Sequence, residues 1–86
     1  MDDESILENL ERLLADLSIE VRYEKGEFVG GLYRYKDKKQ LLINKALTTE
    51  QRVNIIANEL KSNIDLEKVY VIPALREVIE NASSMG

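Results

Sequence analysis

The side chains that most often carry catalysis are missing from this chain. It has no cysteine and no histidine. Thiol chemistry, a thiolate metal site, the commonest general base and the commonest zinc ligand are therefore excluded. A hard cation such as Mg²⁺ needs clustered carboxylates, and the 16 acidic residues are scattered along the sequence. Ser5, Ser18, Ser62, Ser83 and Ser84 have no imidazole to activate them. Lys61 is adjacent to Ser62 in sequence and points to a different helical face. Gly30-Gly31 is not followed by Lys-Ser or Lys-Thr, so the loop that cradles phosphates is absent. These observations predict no metal and no cofactor.

One segment has the composition of a binding surface. Tyr33-Arg34-Tyr35-Lys36, with Lys38 and Lys39 close behind, interleaves aromatic and basic residues. On a strand, Tyr33 and Tyr35 share one face while Arg34 and Lys36 share the other. The reading favoured here lays the tyrosines over the core and leaves the charges to guard the strand edge. A second reading stacks the tyrosines on nucleic-acid bases, with the cations on phosphates. The net charge of −4 counts against that. So do the seven acids among residues 1–20: Asp2, Asp3, Glu4, Glu8, Glu11, Asp16 and Glu20.

The elements that hold these residues follow from periodicity. Ile6, Leu7, Leu10, Leu13, Leu14 and Leu17 form an apolar stripe at helical spacing over residues 5–17. Ser5 with Glu8 predicts a capping box at its start. Ile19 to Glu24 alternates as a strand with Ile19, Val21 and Tyr23 inward. Leu32 to Lys36 and Gln40 to Asn44 predict two more strands, and the consecutive Leu41, Leu42 and Ile43 suggest burial on both sides of the last. Asp37-Lys38-Lys39 lacks the glycine of the tightest hairpins, so a loop of three to five residues is expected.

Thr48 with Gln51 predicts a second capping box, opening a helix over 49–62. Val53, Ile56, Ala57 and Leu60 form its main stripe, with Ile55 about 200° from Val53. A helix apolar on two sides is sandwiched, and the last helix is the expected cover for Ile55. Val69-Tyr70-Val71 is read as a short extended piece within a connector. Pro73 fits the first turn of that last helix, which carries Leu75, Val78, Ile79 and Ala82 on one face.

The segment Leu41-Leu42-Ile43-Asn44, a short loop and then Ile55-Ile56-Ala57-Asn58-Glu59-Leu60 resembles the approach to the active-site helix of minimal-zincin metallopeptidases of the ImmA/IrrE type. In that family the helix carries His-Glu-x-x-His, with two zinc-binding histidines and a glutamate as general base. The resemblance implies that Glu59 takes the place of the glutamate, and Asn58 and Ser62 the places of the histidines. Asn58 and Ser62 are poor zinc ligands, so it implies an inactive relative.

The reading is an α+β chain with a three-stranded antiparallel sheet, helices packed on it, and element order α-β-β-β-α-α. Residues 1–86 make one domain, frayed at about 1–3 and 83–86. No apolar run is long enough for a membrane span and the acidic start is no secretory signal, so a cytoplasmic location is expected. The expected function is a non-catalytic protein-interaction or self-associating module that uses Tyr33, Arg34, Tyr35, Lys36, Lys38 and Lys39. The alternatives are a weak nucleic-acid binder on the hairpin 33–45 and a hydrolase-like enzyme using Glu59 in a cleft.

Overall fold

The computed structural model describes residues 2–27 and 30–82, and at Tyr35 the backbone alone. The first helix, α1, spans Asp3–Asp16. Its cap is Asp2, whose carboxylate accepts a hydrogen bond from the Ser5 backbone N–H at 2.8 Å. Ser5 is therefore inside the first turn and not the cap expected of it. Aspartate caps as well as serine and adds negative charge at the positive end of the helix dipole. The hydrogen bond from Ser5 holds the Asp2 carboxyl below its ordinary pKa. Asp2 and Asp3, expected to fray, form the N-cap and the first helical residue. The other residues expected to fray, Met1 and 83–86, lie outside the described residues.

Strands β1 (Ile19–Glu24), β2 (Gly30–Tyr35) and β3 (Lys38–Asn44) form one sheet in the order β1-β3-β2. The sheet is mixed and not antiparallel: β3 runs parallel to β1 and antiparallel to β2. The chain leaves β1 and re-enters two strand positions away, and β3 fills the slot between. The most apolar strand thus takes the centre, where Leu41 and Ile43 are fully buried. The glycine-bearing, charged β2 takes an edge, where a weak ladder does least harm.

The β2–β3 connection is tighter than expected. Lys36 and Asp37 alone make the turn, with φ of 49° and 66°, the left-handed pair that a type I′ hairpin turn requires. Lys38 and Lys39 belong to β3. A lysine held at positive φ is strained. Replacing Lys36 by Asn together with Asp37 by Gly should raise stability by about 1 kcal/mol, read as a higher urea midpoint with unchanged slope.

The second helix, α2 (Thr49–Asn63), opens on the expected capping box. Gln51 N–H donates to Thr48 Oγ1 at 3.2 Å, and Thr48 N–H donates to Gln51 Oε1 at 2.9 Å. The connector holds neither helix nor strand at Val69–Val71. Pro73 stands at the first position of α3 (Pro73–Glu80), as its missing N–H predicts.

Helices α1 and α2 cover one sheet face, and α3 packs on those two helices without reaching the sheet. One core runs through all three layers, with Leu10, Leu14, Leu41, Ile43, Ile56, Leu60 and Ile79 almost wholly buried. α2 is sandwiched, as Ile55 suggested, but the covers are exchanged. Ile55 is 4% exposed and lies over Gly30 of β2, where an added Cβ would sit 3.5 Å from its Cγ2. Helix α3 faces the Val53 and Ala57 side instead, where Val78 and Ala82 line a shared groove. Among the described residues no helix is long and apolar enough to cross a membrane.

Candidate functional site

Strand alternation decides what the second sheet face presents. Ile19, Leu41 and Ile43 point to the helices and are buried. The residues between them therefore point away: Glu20, Arg22 and Glu24 of β1, Gln40 and Leu42 of β3, and Gly31 and Tyr33 of β2. Among the described residues, no helix packs on this side of the sheet.

A polar row crosses the open face through all three strands. Glu20, Gln40 and Tyr33 stand in register. The Tyr33 hydroxyl donates to Gln40 Oε1, and Gln40 Nε2 donates to Glu20 Oε2 at 3.3 Å. Gln40 is only 8% exposed, so its two amide atoms need these partners. Tyr33 keeps 39% of its surface exposed, and its hydroxyl ties it to Gln40 of the neighbouring strand. The next row sets Arg22, half-buried Leu42 and Gly31 side by side. Among the described residues, an added Cβ at Gly31 would meet no heavy atom within 4 Å. The face therefore has an open notch between Tyr33 and Leu42. Arg22 pairs with Glu24 at 2.9 Å, with both side chains about half exposed. Such a surface pair adds little stability.

The six hairpin residues singled out by sequence are thus divided. Tyr33 faces away from the helices and not over the core, because Leu32, opposite Leu41, takes the inward position and its neighbour must point outward. Tyr35 stands opposite Lys38 in the register. Arg34 stands opposite Lys39 on the other face, and Lys36 forms the turn. Sequence reasoning gave Gln40 and Gly31 no part in this site. The alternation that buries Leu41 was signal enough to set Gln40 beside Leu42 on the outer face.

On α2, Asn58 and Glu59 are half-buried and Ser62 is exposed. Glu59 Oε2 accepts a hydrogen bond from Asn63 Nδ2 at 3.1 Å, one turn along the same helix. Among the described residues no three carboxylates gather where a metal ion could bind. A groove of about 420 Å³ lies between α2 and α3, lined by Val53, Ala57, Val78 and Ala82 with Glu50 at its rim.

A clasp on the helix side holds the sheet in place. The Tyr23 hydroxyl donates to Glu11 Oε2 of α1 at 2.9 Å. The Arg52 guanidinium lies 4.9 Å from the centre of the Tyr23 ring. Arg52 also donates to the Leu47 and Lys45 carbonyls at 3.1 and 2.8 Å. Burial raises the Tyr23 pKa well above the ordinary tyrosine range, and the bond to Glu11 and its negative charge add to that. A raised folded-state pKa means that this contribution to stability is complete below the unfolded value of about 10 and fades as pH rises above it. Ultraviolet titration of the native protein against Tyr23→Phe should place the lost hydroxyl's ionisation above that value. The stability of the native protein should also fall faster with alkaline pH than that of Tyr23→Phe.

No family model matches the chain, and no curated protein and no solved structure matches it.

Proposed function

We propose that this domain is a non-catalytic protein-binding module whose docking surface is the open sheet face along β2. The observation that carries the reading is the notch at Gly31, set between an exposed, oriented tyrosine and a half-buried leucine on a face without helices. Tyrosine and arginine are favoured residue types at interface centres, and Tyr33 and Arg34 both lie on this edge strand. Holding Tyr33 through Gln40 lowers the entropy lost when a partner covers the ring. The chain lacks imidazole and thiol groups, which supports binding over turnover. With Asn58 and Ser62 in the places of the two histidines, the minimal-zincin resemblance fits the same reading as an inactive relative.

A photo-cross-linking amino acid at position 33, with position 77 on α3 as control, tests the proposal in cells. The expected result is a discrete protein adduct from position 33 and none from position 77. A nucleic-acid adduct, or equal yields from both positions, contradicts it.

A further inference from the structure

We infer that the partner presents an extended segment of alternating apolar and acidic residues, which lies along β2 and pairs with it as a fourth strand. The inference rests on the proposed docking surface and adds the chemistry of what docks there.

Three observations point to it. First, among the described residues, β2 pairs with β3 along one edge and with no strand along the other. A free edge offers backbone donors and acceptors that an added strand can use.

Second, nothing in the fold requires a glycine at position 31. Its φ lies outside the left-handed region, and a side chain there would meet open space. A glycine inside a strand weakens it, and one without a structural need marks close approach by a ligand or another backbone. An apolar side chain of the incoming strand would enter this notch, beside Tyr33 and Leu42.

Third, the other face of the hairpin has unbalanced charge. Arg34 and Lys39 stand directly opposite one another, an arrangement of like charges that destabilises a strand pair. The ion pairs among the described residues join Arg22 to Glu24 and Arg76 to Glu80. Neither of them neutralises Arg34 or Lys39. Successive residues of a strand point to opposite faces. A segment that fills the notch with one residue therefore turns alternate residues to the face of Arg34, and the one three places along comes opposite Arg34, where an acidic side chain relieves the repulsion. The alternation of the partner follows from the two faces of β2.

The test is an NMR titration of the isotope-labelled full chain with a blocked peptide of alternating valine and glutamate. A valine–lysine peptide and a single-stranded oligothymidylate serve as comparisons. Shift changes should centre on the amides of residues 30–35 and the Tyr33 ring. Gly31→Val should weaken binding at least about tenfold while leaving the fold as stable or more so, and Arg34→Glu should weaken it similarly. Undiminished binding to Gly31→Val, equal binding of the lysine peptide, stronger binding of the oligonucleotide, or shifts centred elsewhere would overturn the inference. If the valine–glutamate peptide fails while the cross-link at position 33 persists, the acidic strand is wrong and the docking surface stands. If both fail, the surface falls as well.

Discussion

Gly30→Ala is expected to destabilise the domain by about 3 kcal/mol, while Gly31→Ala, one residue on, should stabilise it by up to about 1 kcal/mol. The contrast comes from what surrounds each Cα. A Cβ at Gly30 would approach the Leu42 carbonyl oxygen to 2.8 Å. That oxygen belongs to the central strand, which is held on both sides and cannot give way. The φ of 154° at Gly30 adds strain for any residue with a side chain. Retreat in the other direction is blocked by Ile55 of α2. At Gly31 a methyl group meets no heavy atom of the described residues within 4 Å, so the main change is in the conformational freedom of the unfolded chain. Small domains have a total stability of roughly 5–15 kcal/mol, so the loss at Gly30 is a large share. Urea unfolding of the two variants, with matched slopes, measures the difference.

Arg52→Ala carries the second large effect, a loss of about 2 kcal/mol. The guanidinium satisfies the Lys45 and Leu47 carbonyls in the turn that feeds α2 while covering the Tyr23 ring. Its removal unties that turn and uncovers the face of an aromatic ring. Arg52→Lys should restore less than half of the loss, because an ammonium group cannot span both carbonyls and stack on the ring at once. A double-mutant cycle with Tyr23→Phe should show smaller coupling than one with Tyr23→Ala, since the contact is to the ring and not to the hydroxyl. Thermal and urea unfolding of the four single and two double variants provides the check.

Local signals in the sequence were legible and long-range ones were not. Thr48 with Gln51, Pro73 and the apolar stripes of the helices each act within a few residues, and each marks an element that forms. Sheet order depends on which strands meet across the whole chain. The run Leu41-Leu42-Ile43 implied burial on both faces, whereas Leu42 is only half-buried on the open face, and nothing in the run announced that the strand would insert between β1 and β2 and turn an expected antiparallel sheet into a mixed one. The hairpin was read too loosely because Lys36 and Asp37 adopt a conformation usually left to glycine and asparagine. The cover of Ile55 was assigned to α3 because glycine carries no hydrophobic signal, although Gly30 is what lets α2 approach β2.

The same limit applied to the candidate site. Aromatic and basic residues around Tyr33 stood out by composition, but which face they occupy follows from Leu32 pairing with Leu41, a tertiary fact. The partners of Tyr23, Glu11 and Arg52, lie 12 residues before it and 29 after it in sequence, beyond any local pattern. An inward-facing tyrosine does announce that its hydroxyl needs a partner, but it cannot say which one.

A protein-docking role for β2 requires the outer sheet face to stand open to solvent in the unbound protein. Paramagnetic relaxation by a soluble gadolinium chelate reports this side chain by side chain. The Leu42 methyls and the Tyr33 ring should broaden strongly while the methyls of Leu41 and Ile43, one residue away on either side of Leu42, stay sharp. Equal protection of Leu42 and Leu41 would mean that the face is already covered, leaving no surface there for a partner.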